Sequence, residues 1–131
     1  MAPKFLFTLI ITLLIMACSN KESNKANDEK VLASLYAAIK SMSESVICSD
    51  GSEWRATALG AKACGGPTEY VLYSVNIDTV AFLNKVQLYT KKQRDYNAKY
   101  GAISDCMFVS PPQSIVCKNG KATAVNSYDT P

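Results

Sequence analysis

The fold of this chain is decided by residues 70–101, which read YVLYSVNIDTVAFLNKVQLYTKKQRDYNAKYG. The first six residues are aromatic, β-branched or leucine apart from one serine, and they follow a Gly-Gly-Pro break at positions 65–67. A run of this length and composition is too short for a helix and predicts a β-strand over residues 70–75. The rest of the stretch carries a helical pattern, so a strand followed by a helix is expected.

That helical pattern predicts an amphipathic helix after an N-cap at Asn76 or Asp78 and before a stop at Gly101. Its apolar face consists of Phe82, Val86, Tyr89, Tyr96 and Tyr100, with Gln93 at the one polar step. The outer face is basic and is interpreted as solvated, with anionic lipid headgroups or acidic glycans as the alternative contact. Its cations are Lys85, Lys91, Lys92, Arg94 and Lys99.

Two further patterns complete the predicted domain. A first amphipathic helix is expected from Asn27 or Asp28, because apolar residues recur at helical spacing: Leu32, Leu35, Ile39, Met42 and Val46. Near the C-terminus, apolar runs at 114–117 and 122–125 flank Asn119-Gly120, a pair that favours a type I′ hairpin turn. The predicted fold class is therefore α+β, with two amphipathic helices packed on a small antiparallel sheet and stapled by disulfides.

The N-terminus has the features of a bacterial lipoprotein signal. Lys4 precedes an apolar run from Phe5 to Met16 that is too short for an ordinary membrane-spanning helix. The run ends in Leu-Ile-Met-Ala-Cys at 14–18, which resembles a lipobox and makes Cys18 the predicted lipidated residue. An ordinary cleaved signal with an incidental Cys18 is the alternative.

The predicted organisation has three parts. Residues 1–17 are a lipoprotein signal peptide, residues 18–29 are the lipidated cysteine and a flexible polar tether, and residues 30–131 are a single compact domain. Acyl chains on Cys18 make a lasting membrane anchor. An aspartate directly after the lipidated cysteine would resemble the inner-membrane retention signal of enteric bacteria. Ser19 occupies that position instead, which favours the outer membrane, on its periplasmic or surface face.

Composition excludes several function classes. Without the predicted leader the chain keeps 13 basic and 11 acidic side chains, which makes nucleic acid a poor expected partner. The chain contains no histidine, so Ser-His-Asp, Cys-His and histidine-metal sites are excluded. No cofactor and no metal are predicted.

Four cysteines remain in the predicted domain, Cys48, Cys64, Cys106 and Cys117. An even number in an oxidising compartment predicts two disulfides. The favoured connectivity joins Cys48 to Cys64 and Cys106 to Cys117, because each pair flanks a turn-rich stretch; the second bond would staple a hairpin around Ser-Pro-Pro-Gln. A four-cysteine zinc site is the alternative, although no Cys-x-x-Cys pair supports it.

The densest group of unusual residues lies between Trp54 and Tyr73. Two glycines follow Cys64, and we interpret them as a disulfide-linked turn into a strand; the alternative is a nest of backbone N–H groups that binds an anion. Trp54 is expected to pack in the core over a disulfide. The other interpretation is a binding anchor beside Tyr70 or Tyr73, so these three aromatics are the candidate binding residues.

No catalytic residue is predicted. Acid–base chemistry would fall to Glu53, Glu69, Asp78 or Asp105, but no motif specifies a catalytic pair among them. Asp105 is expected instead to cap a turn through its side-chain oxygen.

Several of these residues together form a pattern that resembles a set of small bacterial envelope lipoproteins of unassigned function. The pattern runs from about residue 48 to 120 as W…GxKxCGGPxxYxxYS…SDC…VCxNG. This resemblance implies the disulfide framework and supplies no catalytic residue. Small envelope lipoproteins that inhibit lysozyme resemble this chain only in size and predicted location.

Together these features predict a lipid-anchored envelope protein that binds a partner without catalysing a reaction. The expected partners are the membrane, through the anchor, and a protein or glycan of the envelope. The alternatives are an inhibitor of a cell-wall hydrolase and a small hydrolase of envelope polymer.

Overall fold

A computed structural model of the chain describes the backbone of residues 3–126 and the side chains of residues 22–126. Its contacts divide the chain into two compact units, Met1–Val31 and Leu32–Pro131. The elements are, in order, α1 (Pro3–Ser43), a 3₁₀ turn (Gly51–Glu53), β1 (Trp54–Leu59), β2 (Glu69–Ser74), α2 (Thr79–Tyr100), β3 (Ser114–Lys118) and β4 (Lys121–Val125).

The first helix begins much earlier than the sequence pattern predicts. It starts at Pro3 rather than near Asn27 or Asp28, so residues 18–29, expected to form a flexible tether, are helical. Neither glycine nor proline occurs between residues 4 and 43, so nothing in the backbone interrupts a helix there. Within the described part of the chain, no helix combines the length and apolar character that a membrane crossing needs.

The predicted α+β class is confirmed. The strands form two separate antiparallel pairs, β1 with β2 and β3 with β4, rather than one sheet. The core takes apolar residues from α1, α2 and the β1–β2 pair, and its buried members are Ile39, Leu59, Val71, Phe82, Val86 and Tyr89. Leu32, Leu35 and Met42 pack against these residues, as predicted for the apolar face of α1, but Val46, predicted on the same face, lies beyond the end of the helix at Ser43.

Local signals locate α2 and the C-terminal hairpin as predicted. Asp78 caps α2 by accepting a hydrogen bond from the Ala81 N–H at 2.9 Å, and Gly101 ends it in the left-handed region with φ of 61°. Asn119 and Gly120, with φ of 51° and 76°, form the two-residue turn between β3 and β4. Positive φ at both positions is what a type I′ turn requires.

Strand β1 was not predicted, although β2 was. Alanine, which has low β-propensity, occupies two of the six positions of Trp54–Leu59. The strand forms because it pairs with β2, from Trp54 opposite Ser74 to Leu59 opposite Glu69, and this pairing cannot be read from the local sequence.

The predicted disulfide connectivity is wrong. Cys48 pairs with Cys117 and Cys64 with Cys106, at Cα–Cα distances of 5.4 and 5.7 Å. Residues 102–112 contain no strand, so no hairpin exists for a Cys106–Cys117 bond to staple. Since the cysteines lie in two separate pairs, the four-cysteine zinc site is not formed either.

Candidate functional site

A cleft of about 520 Å³, hereafter the hairpin cleft, opens on the surface of the described domain. It is lined by residues from three parts of the chain: the end of α1 with the residues after it (40–47), Trp54 with residues 70–72, and the β3–β4 turn (119–122). Its volume lies within the range of roughly 300–1,000 Å³ that is usual for ligand sites.

The floor of the hairpin cleft is aromatic and apolar. Directly opposed residues of an antiparallel pair point to the same face, so the register places Trp54, Leu72 and Tyr70 on one face of β1–β2. Trp54 is only 5% exposed and forms the base of the cleft, whereas the side chain of Val71 points to the opposite face and into the core. A ligand in the cleft would therefore meet a pre-formed apolar surface.

The structure separates the three aromatics that were candidate binding residues. Trp54 and Tyr70 both line the hairpin cleft. Tyr73 lies opposite Arg55 on the other face, with its ring 4.8 Å from that of Phe82 in the core. Trp54 is both buried and part of the cleft wall, so the core and binding interpretations are compatible for this residue.

The rim of the cleft is charged. Lys40 forms an ion pair with Glu44 at 3.3 Å, and Lys121 lies at the start of β4 with its side chain exposed. Exposed Ile47 lies over the turn, since a Cβ on Gly120 would meet its Cγ2 at 3.3 Å. The lining therefore holds the cations Lys40 and Lys121 and the anion Glu44, and this excess of one positive charge above an apolar floor suits an amphipathic ligand that carries negative charge.

The walls of the cleft are fixed by contacts between segments far apart in sequence. The Cys48–Cys117 disulfide joins the chain after α1 to β3, and the Cys48 N–H donates to the Gly120 carbonyl at 2.8 Å. Gly51 packs so closely on Ile115 that a Cβ would collide with its carbonyl oxygen. The cleft is therefore organised before any ligand arrives.

The glycine-rich turn that follows β1 docks on α2. The N–H groups of Gly60 and Ala61 donate to Thr90 Oγ1 at 3.0 Å and Gln93 Oε1 at 2.7 Å, and Asn97 Nδ2 donates to the Ala61 carbonyl at 2.8 Å. Gln93 is the one polar residue in the apolar stripe of α2 because its side-chain oxygen accepts the hydrogen bond from the Ala61 N–H of this turn.

Most backbone donors of the turn are used within the protein. The Lys62 N–H donates to the Gly66 carbonyl, the Gly65 N–H to the Lys62 carbonyl and the Thr68 N–H to the Leu59 carbonyl. Together with the two N–H groups that donate to α2, these bonds leave few backbone donors of the turn for a bound anion. The arrangement matches a disulfide-linked turn that leads into β2.

A second exposed feature follows α2, the apolar loop, defined as residues 102–112. Lys62 Nζ donates to Asp105 Oδ1 at 2.7 Å and to the Met107 carbonyl at 2.8 Å. Asp105 also accepts from the Met107 N–H at 3.1 Å, which confirms the predicted turn cap. The hydrogen bond from Lys62 lowers the pKa of the Asp105 carboxyl.

The other candidate carboxylates also have structural partners. Glu53 accepts a hydrogen bond from Asn76 Nδ2 at 3.3 Å, and Asp78 caps α2. Burial, and then the hydrogen bond to Glu69, raise the pKa of the Tyr36 hydroxyl, so Glu69 is the acceptor for a tyrosine beside the core.

No protein-family model, curated protein or solved structure matches the chain. The resemblance to small envelope lipoproteins therefore stays a prediction, and the geometry of the domain carries the functional argument.

Proposed function

We propose that the protein is a lipid-anchored component of the bacterial cell envelope whose disulfide-bonded domain binds an envelope partner in the hairpin cleft without catalysing a reaction. The observation that carries this proposal is the cleft itself, with Trp54 and Tyr70 in its wall and Lys40 and Lys121 at its rim. Apolar linings with a few placed charged groups are typical of clefts that bind ligands.

The disulfides support the location. Paired cysteines persist in oxidising compartments such as the bacterial periplasm and the cell surface, and the domain holds two such pairs. The lipobox-like sequence at 14–18 predicts the same location, because a leader of this kind directs a chain across the inner membrane and marks Cys18 for acylation. These two independent features favour the envelope.

The rim supports a partner with negative charge. Lys121 forms no ion pair with any side chain that the structure describes, so its charge is available at the mouth of the cleft. Carboxylates on envelope peptides and glycans fit this chemistry, with their apolar parts against Trp54 and Leu72.

A matched pair of charge reversals tests the proposal. Lys118 and Lys121 are opposite each other across the Asn119-Gly120 turn, and only Lys121 lines the cleft. We expect Lys121→Glu to reduce partner binding about tenfold or more, because a repulsive charge replaces an attractive one in the lining of the cleft. Lys118→Glu should reduce binding by less, because its carboxylate lies outside the lining and only offsets the neighbouring charge of Lys121. The measurement is affinity capture from detergent-solubilised envelope with the three intact lipoproteins as baits.

The outcomes separate the alternatives. One species retained by the parent chain and by Lys118→Glu but lost from Lys121→Glu supports the proposal. Equal capture by all three baits, or no capture, contradicts it. A captured cell-wall hydrolase that loses activity on binding would specify the function as inhibition, whereas turnover of an envelope polymer by the chain would show a hydrolase instead.

A further inference from the structure

The apolar loop exposes large hydrophobic side chains to an unusual extent. Ile103 is 96% exposed, Phe108 85% and Met107 69%, all within six residues of chain. Single exposed apolar residues are ordinary, but a cluster of this kind marks a surface that another molecule covers.

The loop is held in this exposed conformation. The Cys64–Cys106 disulfide anchors its middle, and the Ala102 N–H donates to the Asn97 carbonyl at 3.1 Å where it leaves α2. Lys62, whose side chain is only 11% exposed, binds both Asp105 and the Met107 carbonyl. A loop that is already fixed by such contacts loses little conformational entropy on binding, so its apolar side chains are exposed and preorganised before a partner arrives.

The charge of the surrounding chain indicates what covers the loop. Residues 91–112, which cover the last ten residues of α2 and the apolar loop, contain four basic and two acidic side chains. The four cations lie in the last ten residues of α2, directly before the loop: Lys91, Lys92, Arg94 and Lys99. Asp95 lies among them and forms an ion pair with Lys91 at 2.6 Å, so the segment keeps a net positive charge from the other three. Asp105 is the one acid of the loop, and Lys62 compensates its charge at 2.7 Å.

We propose that the apolar loop inserts into the interface of an anionic phospholipid membrane, with Ile103, Met107 and Phe108 entering the boundary between headgroups and acyl chains. Exposed apolar residues next to an excess of cations are the combination that binds such surfaces, because apolar burial and attraction to the negative surface potential act together. The inference rests on the loop and the charge distribution, and it holds whether or not Cys18 is acylated.

The test must report the position of the loop, since an anchored chain stays at the membrane in any case. An indole introduced by Phe108→Trp serves as the probe, and Val80→Trp is the matched control because Val80 is 70% exposed at the opposite end of α2. The full chain is reconstituted into phosphatidylcholine vesicles with and without roughly one-third phosphatidylglycerol. Subtracting the spectrum of the parent chain removes the emission of Trp54.

We expect brominated phospholipid to quench the Phe108→Trp variant about twofold more than the Val80→Trp variant in vesicles that contain phosphatidylglycerol. The difference should shrink without phosphatidylglycerol, and also at about 1 M salt, where the screening length is roughly 3 Å. Equal quenching of the two variants overturns the proposal. Protection of the introduced indole from acrylamide by soluble envelope protein, and not by vesicles, also overturns it and assigns the loop to a protein partner.

Discussion

Removal of the Cys48–Cys117 disulfide by Cys48→Ala/Cys117→Ala is expected to lower the free energy of unfolding by about 4 kcal/mol. The bond spans 69 residues of sequence, so its loss returns a large amount of conformational entropy to the unfolded chain. Domains of this size are typically stable by about 5–15 kcal/mol, so the variant should be close to unfolding at moderate temperature. Urea denaturation monitored by circular dichroism measures the change.

The second disulfide provides the comparison. Cys64→Ala/Cys106→Ala opens a link of 42 residues between two exposed cysteines, and its expected loss is slightly smaller because the loop is shorter. Cys48, by contrast, is only 4% exposed and packed. A loss below about 1 kcal/mol for the Cys48 pair would contradict its role in joining the end of α1 to the C-terminal hairpin.

Substitution of Gly60 by alanine is the second change with a large expected effect. Gly60 has φ of +78°, and a Cβ there would collide with Thr68 Oγ1 and Gln93 Oε1. The strained backbone and the displaced hydrogen bond from the Ala61 N–H to Gln93 together predict a loss of about 3 kcal/mol. Thermal and urea unfolding of Gly60→Ala measure it.

Gly65 is the control for the effect of conformation alone. It also has positive φ, +101°, but a Cβ there would meet nothing within 4 Å. Gly65→Ala should therefore cost about 1–2 kcal/mol, the backbone strain without the collision. Equal losses for the two variants would show that the docking of the turn on α2 contributes little.

Features with local causes were predictable from the sequence. The Asp78 cap, the stop at Gly101 and the Asn119-Gly120 turn each depend on residues within a few positions of one another, and each is in the structure. The apolar faces of α1 and α2 depend only on helical spacing, and they were predictable for the same reason.

Features with distant causes were not predictable. Strand β1 depends on its pairing with β2 across a loop of nine residues, and the disulfides join cysteines 69 and 42 positions apart. The favoured connectivity assumed that cysteines close in sequence pair with each other. That assumption failed because residues 102–112 cross to the Lys62 turn instead of forming a hairpin.

The candidate site was predictable in part. Trp54 and Tyr70 were singled out by residue type, and both line the hairpin cleft. The rim residues Lys40 and Lys121 gave no signal, since a lysine on a helix and a lysine after a turn are ordinary surface residues. Their segments are brought together by the Cys48–Cys117 bond and by the hydrogen bond from the Cys48 N–H to the Gly120 carbonyl, and both contacts join residues far apart in sequence.

The location in the envelope is tested most directly by mass spectrometry of the protein purified from its native host. We expect an N-terminal peptide that begins at Cys18 and carries acyl chains, together with unreduced peptides that link Cys48 to Cys117 and Cys64 to Cys106. An unmodified Cys18 still joined to Ala17, or four free thiols in the domain, would contradict it.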